Sequence, residues 1–91
     1  MRPRKCRFIR FRHNAYFFKP QGIPLRFLDI VEISKDEAEA IRLKNIEDLE
    51  QTEAARRMKI SQSTFQRTLQ SAYRKISRAI IQGKAIKITL D

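Results

Sequence analysis

A chain of 91 residues that is 42% hydrophobic, with one cysteine and a net charge of +10, is sized for a single domain, 1–91, and cannot hold an internal disulfide. The lone Cys6 suits a reducing compartment, and neither a membrane-length apolar run nor the apolar stretch of a signal peptide is present, so a cytoplasmic protein is expected. The charge is segregated: residues 1–28 hold eight basic and no acidic residues, 29–53 three basic and nine acidic, and 54–91 nine basic and one acidic.

Like charges at this density repel one another in a compact chain, and a polyanionic partner turns that repulsion into attraction. Nucleic acid is the leading partner by this criterion, set against the plain reading of a solubilising surface. An anionic membrane fits less well, because no Leu or Trp face lies opposite the arginines.

Residues 1–28 read as a basic extended arm. Its segment Cys6 to Phe11 is rich in aromatic and branched residues and suits a short strand near Phe8. Tyr16, Phe17 and Phe18 then run into Pro20-Gln21-Gly22-Ile23-Pro24, which enforces a turn, and the aromatics are expected to pack this arm.

A helical core is expected over 34–82. Ser34 with Glu37 three residues later is a capping-box pattern that opens a first helix, its apolar stripe formed by Ala40, Leu43 and Ile46 with Ala38 and Ile41 beside it, ending near Glu47 or Asp48. A shorter helix follows from Gln51 to Met58 with Ala54, Ala55 and Met58 inward. Lys59-Ile60-Ser61 breaks the pattern, and Ser61 caps a third helix whose stripe is Phe65, Leu69, Ala72, Ile76 and Ile80. Gly83 stops that helix, and the alternation of Ile86, Ile88 and Leu90 predicts a strand over 84–90 that pairs with the amino strand or with a second subunit. The fold class is therefore mainly α, with short terminal β strands.

Residues 51–67 carry the functional signal. A helix-turn-helix needs a bracing helix, a tight turn, and a second helix that projects polar side chains into the major groove of duplex DNA. Ala55 is small where the helices approach, Ile60 plugs the turn, and Phe65 anchors the second helix. The outward positions Gln62, Ser63, Thr64, Gln66, Arg67 and Gln70 are base-reading candidates, since Gln suits adenine and Arg suits guanine. Arg56, Arg57, Arg74 and Lys75 flank the motif as phosphate-binding candidates, joined by Arg2, Arg4, Lys5 and Arg7 of the arm. The competing reading of these side chains is an ordinary solvated helix face.

The segment Ser34 to Ile80 resembles region 4 of bacterial sigma factors. The whole chain resembles a family of small bacterial and archaeal proteins described as predicted DNA-binding proteins, through Arg2 to Arg7, Tyr16 to Pro24, Asp36 to Leu43 and Ser61 to Arg67. The resemblance implies a sigma region 4-like, winged-helix-like three-helix core, binding to double-stranded DNA, and a role in transcriptional regulation. One position departs from such motifs: Lys59 stands where a glycine is common, because the turn asks for a left-handed backbone.

Enzyme chemistry finds little footing. One His, one Cys and no glycine-rich phosphate loop assemble neither a nucleophilic pair nor a P-loop, and no cofactor is implied. Cys6 and His13 fall short of the four ligands of a structural zinc site, so no metal is expected. Two other functions compete with DNA binding. The acidic helix 34–48 would dock on a protein such as RNA polymerase, or Phe8, Phe11, Tyr16 and Phe17 would stack on single-stranded RNA. Homodimerisation is expected because helix-turn-helix readers double their contacts by symmetry.

Overall fold

The computed structural model describes residues 15–89. In chain order they form strand β1 (Ala15–Phe18), a 3-10 turn (Leu25–Phe27), strand β2 (Ile30–Ile33), helix α1 (Lys35–Ile41) continued by a π-helical turn (Arg42–Ile46), helix α2 (Gln51–Met58), helix α3 (Gln62–Gln82) and strand β3 (Ala85–Thr89). The fold is mainly helical, with three helices and short flanking strands, an arrangement consistent with a helix-turn-helix.

Helices α1 and α3 each begin at a serine cap. Ser34 accepts a hydrogen bond from the Glu37 amide at 3.2 Å, and Glu37 accepts one from the Ser34 amide at 2.9 Å, so the expected capping box is complete. Ser61 caps α3 by accepting from the Thr64 amide at 3.1 Å. Gly83 ends α3 in a left-handed conformation, with the Lys84 amide donating back to the Ala79 carbonyl at 2.9 Å.

Ala40, Leu43, Ala54, Ala55, Phe65 and Leu69 form the buried centre, with Ile41, Leu49, Met58 and Ile60 packed around it. Phe65 is fully buried and anchors α3 between α1 and α2. Two expected stripe positions lie outside. Ile46 is 74% exposed because the π turn, closed by the Glu47 amide on the Arg42 carbonyl at 2.9 Å, fits more residues into a turn and rotates position 46 off the stripe. Leu49 reaches the core in its place. Ile80 is 68% exposed because the stripe steps by three from Ile76 to Ala79, which is buried, and a step of four drifts off a face with 3.6 residues per turn.

The sheet differs more from expectation. Its order is β1-β3-β2, with β3 antiparallel to β1 (Phe18 opposite Ile86) and parallel to β2 (Ile30 opposite Ala85, Ile33 opposite Ile88). The whole helical core is thus the crossover between two parallel neighbours, β2 and β3. The strand expected near Phe8 lies outside the described residues, and Tyr16–Phe18, read as part of an arm, belong to β1. Both hydrogen-bonding edges of β3 are used within the chain, so pairing of this strand with a second subunit is not the arrangement found.

Candidate nucleic-acid interface

The break between α2 and α3 is a Schellman turn. Lys59 is left-handed at φ 62°, ψ 41°; its amide donates to the Arg56 carbonyl and the Ile60 amide to the Ala55 carbonyl, both at 3.1 Å. Ile60 packs on the cluster containing Ala55, supplying the apolar contact that accompanies such turns. The backbone conformation for which glycine is favoured is therefore present with lysine in it.

This turn swings α3 away from α2 and leaves the start of α3 open. Gln62, Ser63, Gln66, Arg67 and Gln70 are exposed. Thr64 is half-buried and part of the cap: its hydroxyl oxygen lies 2.9 Å from the Ser61 hydroxyl and 3.4 Å from the Arg67 guanidinium. Five of the six expected reading residues thus share the outer surface of α3, and the sixth braces its first turn. No acidic residue occurs anywhere in α3. An open cleft of about 530 Å³ separates the starts of α2 and α3, and it brings Gln62 beside Thr52 and Lys44 but also beside Asp48 and Glu50.

The expected phosphate-binding residues divide. Arg56 and Arg57 are both held by Glu53: Arg56 donates to its two carboxylate oxygens at 3.1 and 2.5 Å, and Arg57 donates at 3.2 Å. These hydrogen bonds, Arg56 first and Arg57 second, lower the Glu53 pKa, and the Glu53 hydrogen bond raises that of Arg56. Lys75 turns inward, donating to the Glu37 carboxylate at 3.0 Å and to the Glu32 carbonyl at 3.2 Å. Arg74 is exposed with no carboxylate partner among the described residues. Arg2, Arg4, Lys5 and Arg7 lie outside the described residues, as do Cys6, Phe8, Phe11 and His13.

Two features were not read from the sequence. Glu53 precedes Arg56 and Arg57 by three and four positions, the spacing that joins charges on a helix surface, so its pairing was legible in principle. The sequence pattern marks Glu37 as a capping residue, yet it is also the one buried charged residue among those described, 6% exposed, and accepts from the Ser71 hydroxyl at 2.6 Å. Burial by itself raises its pKa, but the Ser34 amide, the Ser71 hydroxyl and the Lys75 ammonium outweigh it and hold the carboxyl below the ordinary glutamate value. Among the described residues no three His, Cys, Asp or Glu side chains are grouped as metal ligands, and no helix is long and apolar enough to cross a membrane.

No solved structure matches this chain. It is 48% identical over 87 residues to a UPF0251 protein of Thermoanaerobacter pseudethanolicus, covering 96% of this chain and 74% of that protein. A UPF0251 protein of Dehalococcoides mccartyi is 51% identical over the same shares of the two chains, and one of Desulforudis audaxviator is 47% identical over 96% of this chain and 57% of the relative. Residues 1–90 match the family described as "Protein of unknown function DUF134", and the chain belongs to that family.

Proposed function

We propose that the protein binds double-stranded DNA in a sequence-specific way, presenting α3 to the major groove in the manner of sigma region 4, and acts as a transcriptional regulator. The supporting observation is the start of α3: capped by Ser61, set apart from α2 by a left-handed turn, free of acid, and lined outward by Gln62, Ser63, Gln66 and Gln70. Glutamine can pair bidentately with adenine, and serine can bond any base edge. Selection of bound duplexes from a random pool tests this. An enriched motif, bound with a steep salt dependence, is expected. No binding at low salt, or preference for single-stranded RNA in competition, overturns it.

A homodimer is the state proposed for the DNA-bound protein, since paired half-sites one helical turn apart double the contacts. A concentration-independent monomer mass on light scattering, with and without the selected duplex, overturns it. One observation favours a second reading. Ile46 stands 74% exposed next in sequence to Glu47, which is paired with Arg42, and close to the exposed Asp48, an apolar side chain with an acid beside it that suits docking on a protein surface such as one on RNA polymerase. Retention of a polymerase complex in high salt by a protein without duplex affinity would establish that reading over the first.

A further inference from the structure

The outer surface of α3 holds two rows of different chemistry. Gln62, Gln66 and Gln70 follow at steps of four, and Arg67, Arg74 and Arg78 at steps of seven and four; all six are exposed. At 3.6 residues per turn the mean direction of the arginines lies about 100° around the helix from that of the glutamines.

The fold treats these arginines unlike its others. The described residues include seven arginines. Arg42 is paired with Glu39 and Glu47, Arg56 and Arg57 with Glu53, and Arg26 lies over the Phe27 ring at 4.7 Å. The remaining three are the row on α3, with no carboxylate partner among the described residues. Arg67 opens onto a depression of about 340 Å³ beside Ser71 and Lys75, on the α1 side of α3; Asp36 and Glu37 share the depression, and neither pairs with Arg67.

A major groove about 12 Å wide accepts a helix whose diameter with side chains is about 10–12 Å, so one face of the helix meets base edges and its flanks meet the phosphate walls. With the glutamines over the bases, the arginines are carried to one wall. The row runs eleven residues, about 16 Å along the helix, enough to pass several successive phosphates. Resting on the DNA-binding reading above, we propose that Arg67, Arg74 and Arg78 form a single phosphate-tracking row, so that Arg67 positions the helix and does not read a base, and the contact extends to Arg78.

The test is titration of the intact protein and its Arg67→Ala, Arg78→Ala and Gln66→Ala variants against a selected duplex and a random duplex across a salt series, with thermal unfolding as the folding control. Each arginine variant is expected to weaken both duplexes by a similar factor and to reduce the salt slope by about one unit. Gln66→Ala is expected to lose about 5- to 150-fold on the selected duplex alone, with the slope unchanged. If Arg67→Ala loses selectively on the selected duplex at unchanged slope, Arg67 reads a base and the proposal falls. If Arg78→Ala leaves the slope unchanged, the row is not a contact. If the wild-type protein binds neither duplex, the DNA-binding reading falls and takes this one with it.

Discussion

The middle of α3 carries two kinds of cation within one turn, Lys75 and Arg74, and the fold uses them in opposite ways. Lys75 meets a buried carboxylate that already holds the Ser71 hydroxyl and the Ser34 amide, so three elements, α1, α3 and the end of β2, close on one compensated site. Arg74, one residue earlier, is left in water with Arg67 and Arg78 before and after it. A charge that serves the fold has its counterion inside the chain, because an uncompensated buried charge is costly. A row of exposed charges without internal counterions stores repulsion that a polyanion relieves. Neighbouring cations are thus separated into scaffold and surface by which partners face them.

The largest effect should come from breaking the scaffold side. Glu37→Ala removes the return bond of the capping box, leaves the Ser71 hydroxyl without its acceptor and leaves Lys75 with only the Glu32 carbonyl and no counterion, and we expect a loss of about 2–4 kcal/mol in urea or thermal unfolding. The acid limb sharpens the assignment. Because the folded-state pKa of Glu37 lies below its ordinary value, its contribution is fully present above that ordinary value and is lost as pH falls through the folded one. The wild-type protein should lose this increment on acidification and Glu37→Ala should not. Parallel acid limbs for the two proteins would show that the carboxylate is not what holds α1, α3 and β2 together.

How much of this was legible follows the range of the interactions. The α2–turn–α3 unit is local: Ser61 as cap, Ile60 as plug, Phe65 as anchor and the left-handed demand at position 59 are all set within a few residues of one another, and each stands where the sequence reading put it. The sheet was not legible in the same way. β2 is four residues, and it meets β3 only across the entire helical core, so no neighbouring residue announces the pairing. The Glu37 site joins residues 34 and 38 positions apart and leaves no periodic trace. The exposure of Ile46 needed knowledge of the π turn, which shifts every later position of that helix.

The turn itself gives a smaller and opposite effect. Lysine at φ 62° is held in a region that costs a residue with a Cβ about 1 kcal/mol or more. Lys59→Gly removes that cost, though it loosens the unfolded chain and gives up a cation near the carboxyl end of α2. The net expectation is a gain of a few tenths to about 1 kcal/mol, read as a higher urea midpoint at unchanged slope. A loss would mean that the Lys59 side chain makes a stabilising contact outweighing its strained backbone.

The smallest expected effect sits between scaffold and surface, at Glu53. Its carboxylate holds the exposed guanidinium groups of Arg56 and Arg57 on α2, next to the proposed reading helix. Exposed pairs of this kind contribute little to stability, so Glu53→Gln should leave unfolding nearly unchanged. Its effect on DNA has two opposite possibilities, which makes the sign informative. If Glu53 competes with phosphate for the two arginines, removing its charge raises affinity for a random duplex by a small factor and steepens the salt dependence, since less positive charge is neutralised within the protein. If Glu53 instead holds the arginines in the orientation that meets phosphate, the same substitution weakens both random and selected duplexes. The competition outcome is expected, because α2 presents two arginines to one carboxylate and a phosphate offers each of them an acceptor of its own. A weakened complex at unchanged stability would place Glu53 with Glu37, as a residue that organises cations.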